Sequence, residues 1–323
     1  RSGMKMRNQS IIVTGSSGFV GSTLSPLLKN IHNTFGIDTA PSVNTNILNN
    51  IAEFSTDRLS EKLKEQDLYI VNLAAARFDF GAKANDYFEM NVADHQKFLD
   101  RLDGLNIQKF VHVSSVAAID GRTIPYCDSL NCDDAYRSTK FLQEDLIRQW
   151  CKRKDIELVV LYPSAIFSHE QRSDTNIGKM QKWSRLIPFI PLINVRKSLT
   201  FLPNFCDFII QAVSGNLAAG NYLTIERPVF TVTEMIKILS GRECLVLRIP
   251  FFKQFLRAVA GLLFVFGGFG RFDLKLTPNR VTKLFSDTSF EHVSGRHIDT
   301  LLYNKDTETD LRDILIAMSD VRM

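Results

Sequence analysis

The stretch IIVTGSSGFVGSTLSPLL, Ile11 to Leu28, constrains the fold more than any other part of the chain. An apolar run ends at a glycine. Gly15, Gly18 and Gly21 then fall at even spacing, and an apolar helical pattern follows. This order predicts a strand, a tight turn and the opening of a helix. Gly15 lets the chain leave the strand sharply, Gly18 leaves space where a phosphate approaches, and Gly21 lets the helix pack on the sheet. The backbone around Ser17, Gly18, Phe19, Val20 and Gly21 would then face a pyrophosphate, aided by the helix dipole. A purely structural turn is the alternative reading.

The rest of the first half repeats the alternation. Apolar runs SIIVTG, NTFGIDT, LYIVNLAAA, KFVHVSS and IELVVLYPSAIF read as strands. FVGSTLSPLLKNI, LSEKLKEQ, NDYFEMNVADHQKFLDRL and AYRSTKFLQEDLIRQWCKRK read as helices between them. Alternation of this kind predicts right-handed crossovers and an α/β fold: a Rossmann-type doubly wound parallel sheet with a smaller mixed α/β substrate lobe. The expected division is a dinucleotide-binding domain over 4–167 and a mainly substrate-binding lobe over 168–323, with about 199–226 returning to the sheet. SHEQRSDTNIGK reads as a loop and the two-proline LIPFIPLI as irregular. GNYLTI reads as a strand, and TVTEMIKILS as a helix closed by Gly241.

Composition narrows the function classes. The 323 residues are 45% hydrophobic and 23% charged, with a formal charge of +4, which gives no case for nucleic acid. Five scattered cysteines form no C-x-x-C pair, so reduced thiols, a cytoplasmic location and no metal site are expected. No signal peptide is visible, and the residues before Met4 read as a cloning remnant. The apolar segment 251–270, FFKQFLRAVAGLLFVFGGFG, is too interrupted to span a bilayer. It reads either as a buried or substrate-capping helix, or as a contact for a membrane surface or apolar ligand.

Two further features carry chemistry. Asp38 ends the second strand, 17 residues past Gly21. A carboxylate there accepts from both adenosine ribose hydroxyls and repels a 2′-phosphate, which argues for NAD rather than NADP. YRSTK places Tyr136 and Lys140 four apart on one helix face. A nearby ammonium favours phenolate, so the phenol can exchange a proton with a substrate oxygen while hydride passes to or from nicotinamide.

With TGSSGFVGS, Asp38, NLAAA, Asn91 in YFEMNV, VHVSS, YRSTK and LYPSAIF in this order, the chain resembles an extended short-chain dehydrogenase/reductase of the NAD-dependent epimerase/dehydratase superfamily. The resemblance is strong over 11–167 and loose beyond. It implies that Leu73, Ala74 and Ala75 line the cofactor phosphates and ribose. Glu53 and Phe54 would lie beside adenine. Asn91, Val113, Tyr136 and Lys140 would belong to the cofactor site, and Tyr162, Pro163 and Ile166 would flank the nicotinamide. Three departures stand out. Val116 occupies the usual position of a catalytic Ser or Thr, with Ser115 adjacent. Ala117 and Ala118 replace the acid pair of the dehydratases, which argues against dehydration. Tyr162 replaces an Arg, and NFCD replaces a V-D-D-like segment.

The resemblance implies an NAD-dependent oxidoreductase or epimerase acting on a secondary alcohol or ketone, with a nucleotide sugar as first choice. Tyr136, Lys140 and Ser115 would be catalytic, and Arg196, Lys197 and Arg280 would meet the substrate diphosphate. The alternatives are a hydroxysteroid- or lipid-type alcohol dehydrogenase and a non-catalytic NAD-binding regulator. His112 reads as a core residue and His95 as exposed or at an interface. Asp133 and Asp134 read as mouth or capping residues. Helices around 84–102 and 136–152 offer faces for a homodimer.

Overall fold

The computed structural model describes residues 9–56, 66–76, 83–169, 175–227, 229–241, 245–267, 281–282, 284–290 and 298–301. These fall into two compact units. One is drawn from Arg1–Ser164, Leu202–Thr224 and Gly295–Leu301, and the other from Ala165–Phe201, Ile225–Ser294 and Leu302–Met323.

The first unit opens with β1 (Gln9–Thr14), α1 (Phe19–Lys29), β2 (Asn33–Asp38), β3 (Ile47–Leu48) and β4 (Asp67–Asn72). Helix α2 (Ala84–Phe88) passes through a π-helical turn, Glu89–Ala93, into α3 (Asp94–Arg101). Then come β5 (Ile107–Val113), α4 (Val116–Gly121), α5 (Cys132–Arg153) and β6 (Glu157–Pro163). The chain next builds β7 (Ala165–Phe167), α6 (Asn176–Leu186), β8 (Phe189–Pro191), β9 (Arg196–Lys197) and β10 (Leu199–Phe201) of the second unit. It returns as α7 (Leu202–Val213) and β11 (Gly220–Thr224). The second unit resumes with β12 (Phe230–Thr231), α8 (Val232–Ser240), β13 (Leu245–Leu247) and α9 (Phe252–Gly267), and β14 (Asp299–Leu301) closes the first.

The main sheet has eight strands in the order β14-β11-β6-β5-β4-β1-β2-β3, and every neighbouring pair is parallel. Parallel strands are covered on both faces, which is why Ile11, Ile12 and Val13 are all fully buried in sequence. Phe110 stacks edge-on against Trp150 of α5, whereas the next-door Lys109 reaches Ala212 O of α7 at 3.3 Å. Successive strand residues point to opposite faces, so α5 and α7 cover different sides. The strand order reverses between β1 and β4. A crevice therefore opens at the carboxyl ends of these two strands, where ligands of such sheets bind.

Pro26 sits inside α1. Its missing N–H leaves the Ser22 carbonyl without its helical donor, and Asn44 Nδ2 supplies a replacement at 3.4 Å.

The second unit holds three two-stranded sheets, β7 with β10, β9 with β12, and β8 with β13. Phe167, Leu199, Phe201, Met235 and Leu239 form one of its cores. Helix α8 starts at a capping box of Thr231 and Glu234 and ends at Gly241 in the left-handed region. Some boundaries differ from the sequence reading. The apolar run IELVVLYPSAIF is two strands, split at Ser164. The loop expected through Lys179 gives way to helix at Asn176. LIPFIPLI contains the strand β8, whose Pro191 is tolerated because a two-stranded ribbon is all edge. The expected helix LSEKLKEQ lies almost wholly outside the described residues.

Candidate active site

The glycine turn sits at the carboxyl end of β1, in the crevice. Gly15 has φ +73°, and its N–H donates to Ile37 O at 2.8 Å, tying the turn to β2. A Cβ on Gly15 would lie 3.0 Å from Ala74 N, so the turn abuts the segment after β4. At Gly21 a Cβ would lie 2.1 Å from Gly15 O, which only glycine avoids. Gly18 differs: a Cβ there would meet only Gly15 O, at 3.2 Å, and otherwise open space. Gly18 is also the N-cap of α1 and makes no side-chain capping bond, and no acidic residue sits in the first turn. The N–H groups of Phe19 and Val20 thus belong to the open end of a helix, suited to an anion.

Asp38 ends β2 beside this turn. Its Oδ2 accepts from Ser17 N at 2.8 Å and its Oδ1 from Ala40 N at 3.0 Å. Each carboxylate oxygen keeps a second lone pair for a ribose hydroxyl. Ser17 Oγ and Thr45 Oγ1 pack alongside, 2.7 Å apart. On the other side of β1, Leu73 N donates to Thr14 O at 3.1 Å and Ala74 N to Thr14 Oγ1 at 3.2 Å. Buried Asn91, on the π turn, accepts from Ala76 N at 2.6 Å and donates to Thr139 Oγ1 at 3.1 Å. It fixes the 73–76 loop to α5 from behind. The residues of the glycine turn, Asp38 and the loop after β4 therefore form a cradle suited to a dinucleotide.

Helix α5 carries Tyr136 and Lys140. Asn131 caps it, accepting from the backbones of Asp133 and Asp134, so those two acids serve the helix start. Tyr136 is partly exposed, with its ring edge-on to Tyr87 at 6.2 Å. Its hydroxyl makes no hydrogen bond to a described residue. One turn on, Lys140 is buried, and its Nζ donates to Val113 O at 3.2 Å and to Gln143 Oε1 at 2.5 Å. An ammonium has three protons, so one remains for a ligand.

Lys140 rests on a buried network that residue spacing alone did not reveal. His95 Nδ1 lies 3.0 Å from Met90 O, which can only accept, so this nitrogen carries the proton. His95 Nε2 then accepts from Gln143 Nε2 at 2.7 Å, and the same amide reaches Ala74 O at 3.1 Å. With both its N–H groups engaged, Gln143 must present oxygen to Lys140. Burial holds the His95 pKa down to about 3, and the Lys140 charge acts in the same direction. Beneath lies Glu144, which accepts from Tyr162 OH at 2.6 Å, Ser114 Oγ at 2.9 Å and Arg148 Nη2 at 3.0 Å. Gln143 and Glu144 follow Lys140 by three and four residues, which is the one sequence signal that groups them.

Burial lowers the Lys140 pKa to about 7, although Glu144 opposes the shift. Between that value and the usual lysine range, the unfolded chain binds more protons than the folded one, so this group makes stability rise with pH. The cost is fully present below about pH 7 and is relieved as pH climbs toward 10. Lys140→Met is expected to remove this slope, read from thermal unfolding midpoints between neutral pH and mildly alkaline pH. An unchanged slope in the variant would show that Lys140 does not titrate there.

Ser115 is the N-cap of α4, and its Oγ accepts from Ala117 N at 3.2 Å. Accepting that bond leaves its own O–H to donate. Val116 is the first residue of α4, and its side chain has no group to donate.

Other sequence candidates sit elsewhere. Phe54 is fully buried, edge-on to Phe98 at 5.7 Å, so its ring belongs to the core; neighbouring Glu53 is exposed. The Tyr162 ring is also fully buried, and its hydroxyl is spent on Glu144, so the side chain is not presented to a ligand. Pro163 ends β6 and is buried, and Val113 contributes its carbonyl to Lys140. Ile166 lies on β7 and Arg196 and Lys197 on β9, all in the second unit. Lys197 Nζ donates to Ser286 O. Arg280 lies outside the described residues. His95, expected at the surface, is 1% exposed. It lies four residues after buried Asn91 and three and four before buried Phe98 and Leu99, so it shares their inward face. His112 is buried as expected. Asn72 donates to its Nδ1 at 3.1 Å, and its Nε2 has no partner among the described residues. Among the described residues no group of three or more His, Cys, Asp or Glu is placed to hold a metal ion. A cavity lined by Leu102, Asn106, Trp150 and Lys154 opens at the opposite, amino-terminal edge of the sheet, away from this chemistry.

Known proteins agree with this architecture. UDP-glucose 4-epimerase of Vibrio cholerae is 21% identical over 246 residues, covering 72% of this chain and 75% of that protein. The crystal structure of UDP-glucuronic acid 4-epimerase from Bacillus cereus, in complex with NAD, matches with a TM-score of 0.59 at 18% identity. It covers 75% of this chain and 86% of that one. UDP-N-acetylglucosamine 4-epimerase from Methanobrevibacter ruminantium matches with a TM-score of 0.60 at 20% identity, covering 76% and 87%. The sequence profile of the NAD dependent epimerase/dehydratase family matches residues 11–187. With its glycine turn, parallel strand order and Tyr-x-x-x-Lys helix, the chain belongs to the NAD dependent epimerase/dehydratase family, within the extended short-chain dehydrogenases/reductases.

Proposed function

We propose that the protein is an NAD-dependent oxidoreductase or epimerase acting on a secondary alcohol or ketone of a nucleotide sugar. The observation that carries this reading is Tyr136: its hydroxyl makes no hydrogen bond to a described residue, and Lys140 lies one turn away on the same face of α5. When bound, NAD supplies the acceptor and donor of hydride. Phe19 and Val20 N–H groups would hold its pyrophosphate, Asp38 its adenosine ribose, and Lys140 its nicotinamide ribose. Tyr136 would take the hydroxyl proton of the substrate as the alcohol is oxidised. Tyr136 then returns the proton when the carbonyl is reduced. Reduction on the opposite face would give an epimer, and release of the ketone would give net oxidation. Ser115 O–H polarises the reacting oxygen. The relatives named above act on UDP-sugars, and this supports the substrate class.

Asp38 makes NAD the preferred form, because a 2′-phosphate would meet its carboxylate. Fluorescence titration is expected to show NADH binding more tightly than NADPH, with the gap narrowed in Asp38→Ala. Equal or tighter NADPH binding by the unmodified protein would contradict this.

The reading places the protein in a reducing cytoplasm. The four described cysteines, Cys127, Cys132, Cys151 and Cys206, are free, and burial pushes the thiols of Cys151 and Cys206 up to about 12. A homodimer through α2–α3 and α5 is part of the same reading, supported by Met90, which is 39% exposed there. Light scattering tests it, and a monomer would remove it.

A further inference from the structure

The second unit carries an apolar surface that the catalytic reading does not use. One face of α9 packs inward: Phe252 joins the cluster of Ile190, Ile193, Val232 and Ile236, and Ala260 is fully buried. Another apolar face stays outside. Phe251, Phe255 and Leu262 are 78%, 61% and 59% exposed, and Ala258 between them is exposed as well. Positions 255, 258 and 262 are spaced three and four apart, so they form one stripe along the helix, and Phe251 stands just before its first turn. Surface apolar residues are ordinary when scattered, but an aligned aromatic and aliphatic row marks an interaction site.

Charge selects the occupant. Residues 245–267 contain Arg248, Lys253 and Arg257 and no Asp or Glu. Gln254 borders the stripe, and Arg257 is exposed farther round the helix. An apolar stripe on a segment whose charges are all cationic suits an interfacial helix on an anionic membrane surface. Pairing the stripe with itself in a second copy would bring like charges together, with no acidic group on the segment to offset them. No described helix is long and apolar enough to cross a membrane. We propose that α9 docks on an anionic lipid surface. Phe251, Phe255 and Leu262 enter the headgroup–acyl boundary, and Arg248, Lys253 and Arg257 supply the positive charge that draws the segment to anionic headgroups.

The test is sedimentation of the full chain with extruded vesicles. One set is phosphatidylcholine alone, and the other carries about 30% phosphatidylglycerol, enough for a negative surface potential. Binding to the anionic set is expected to exceed binding to the neutral set by about tenfold and to weaken with salt. Phe255→Ser with Leu262→Ser should cut binding to anionic vesicles by about tenfold or more. Lys253→Glu with Arg257→Glu should do the same at low salt. Both pairs should leave NAD affinity unchanged, which separates this inference from the catalytic reading. Leu262→Ser alone keeps the test open should a double variant not fold. The proposal falls if the unmodified protein ignores anionic vesicles or if the serine variants bind as well as it does. It also falls if light scattering shows a dimer that the serine variants dissociate.

Discussion

Tyr136→Phe is expected to lower turnover by about 10²–10⁴-fold, the usual worth of a positioned acid–base group, while NAD affinity stays within about twofold. The ring packs against Tyr87 and the cluster of Ala76, Ala84 and Ala135, and phenylalanine keeps all of that packing. Only the hydroxyl is lost, and no described residue hydrogen-bonds it. Unfolding temperature should therefore be unchanged. Lys140→Met should behave differently, losing turnover and NAD affinity together, because its third ammonium proton is the one assigned to the nicotinamide ribose. Steady-state kinetics with a nucleotide sugar, beside calorimetric NAD binding, separates the two variants. A Tyr136→Phe protein of undiminished activity would remove the proposed mechanism.

Gly21→Val is expected to cost about 3 kcal/mol or more of stability and to abolish NAD binding. A Cβ at this position would sit 2.1 Å from Gly15 O and 2.8 Å from the backbone of Ser16. Backbone cannot swing aside as a side chain does, so either α1 lifts from the turn or the turn opens. Gly18→Ala gives the contrast. Its Cβ would press on one atom at 3.2 Å, so the fold should survive while a phosphate loses its closest approach. Urea unfolding and NAD titration on both variants read this out. Equal stability losses would show that the turn does not divide its glycines between folding and binding in this way.

The parallel order and the glycine turn were legible because both rest on short-range patterns. Apolar runs buried on both faces and glycines at fixed spacing need no tertiary knowledge to read. What lay hidden depended on contacts distant in sequence. His95 is polar enough to read as a surface residue, but it lies four residues after Asn91 and three before Phe98 on the inward face, where Gln143, 48 positions later, donates to its Nε2. Phe54 looked like a binding residue beside an acid, whereas Phe98, 44 positions later, claims its ring. Tyr162 read as a lost arginine, yet its hydroxyl shares Glu144 with Arg148, which arrives from one turn further along α5. The break at Ser164 was masked by apolar residues on both sides. The exposed stripe on α9 could not be told from a buried one, because composition does not record which side of a helix is covered.

A crystal structure of the NAD complex tests the central claim most directly. The account predicts the pyrophosphate on the N–H groups of Phe19 and Val20, the adenosine ribose on Asp38, and Lys140 Nζ about 3 Å from a hydroxyl of the nicotinamide ribose. Lys140 would still donate to Val113 O and Gln143 Oε1, and Tyr136 OH would face the nicotinamide. A complex with the nicotinamide beyond reach of Tyr136 and Lys140, or with the pyrophosphate away from the glycine turn, would contradict it.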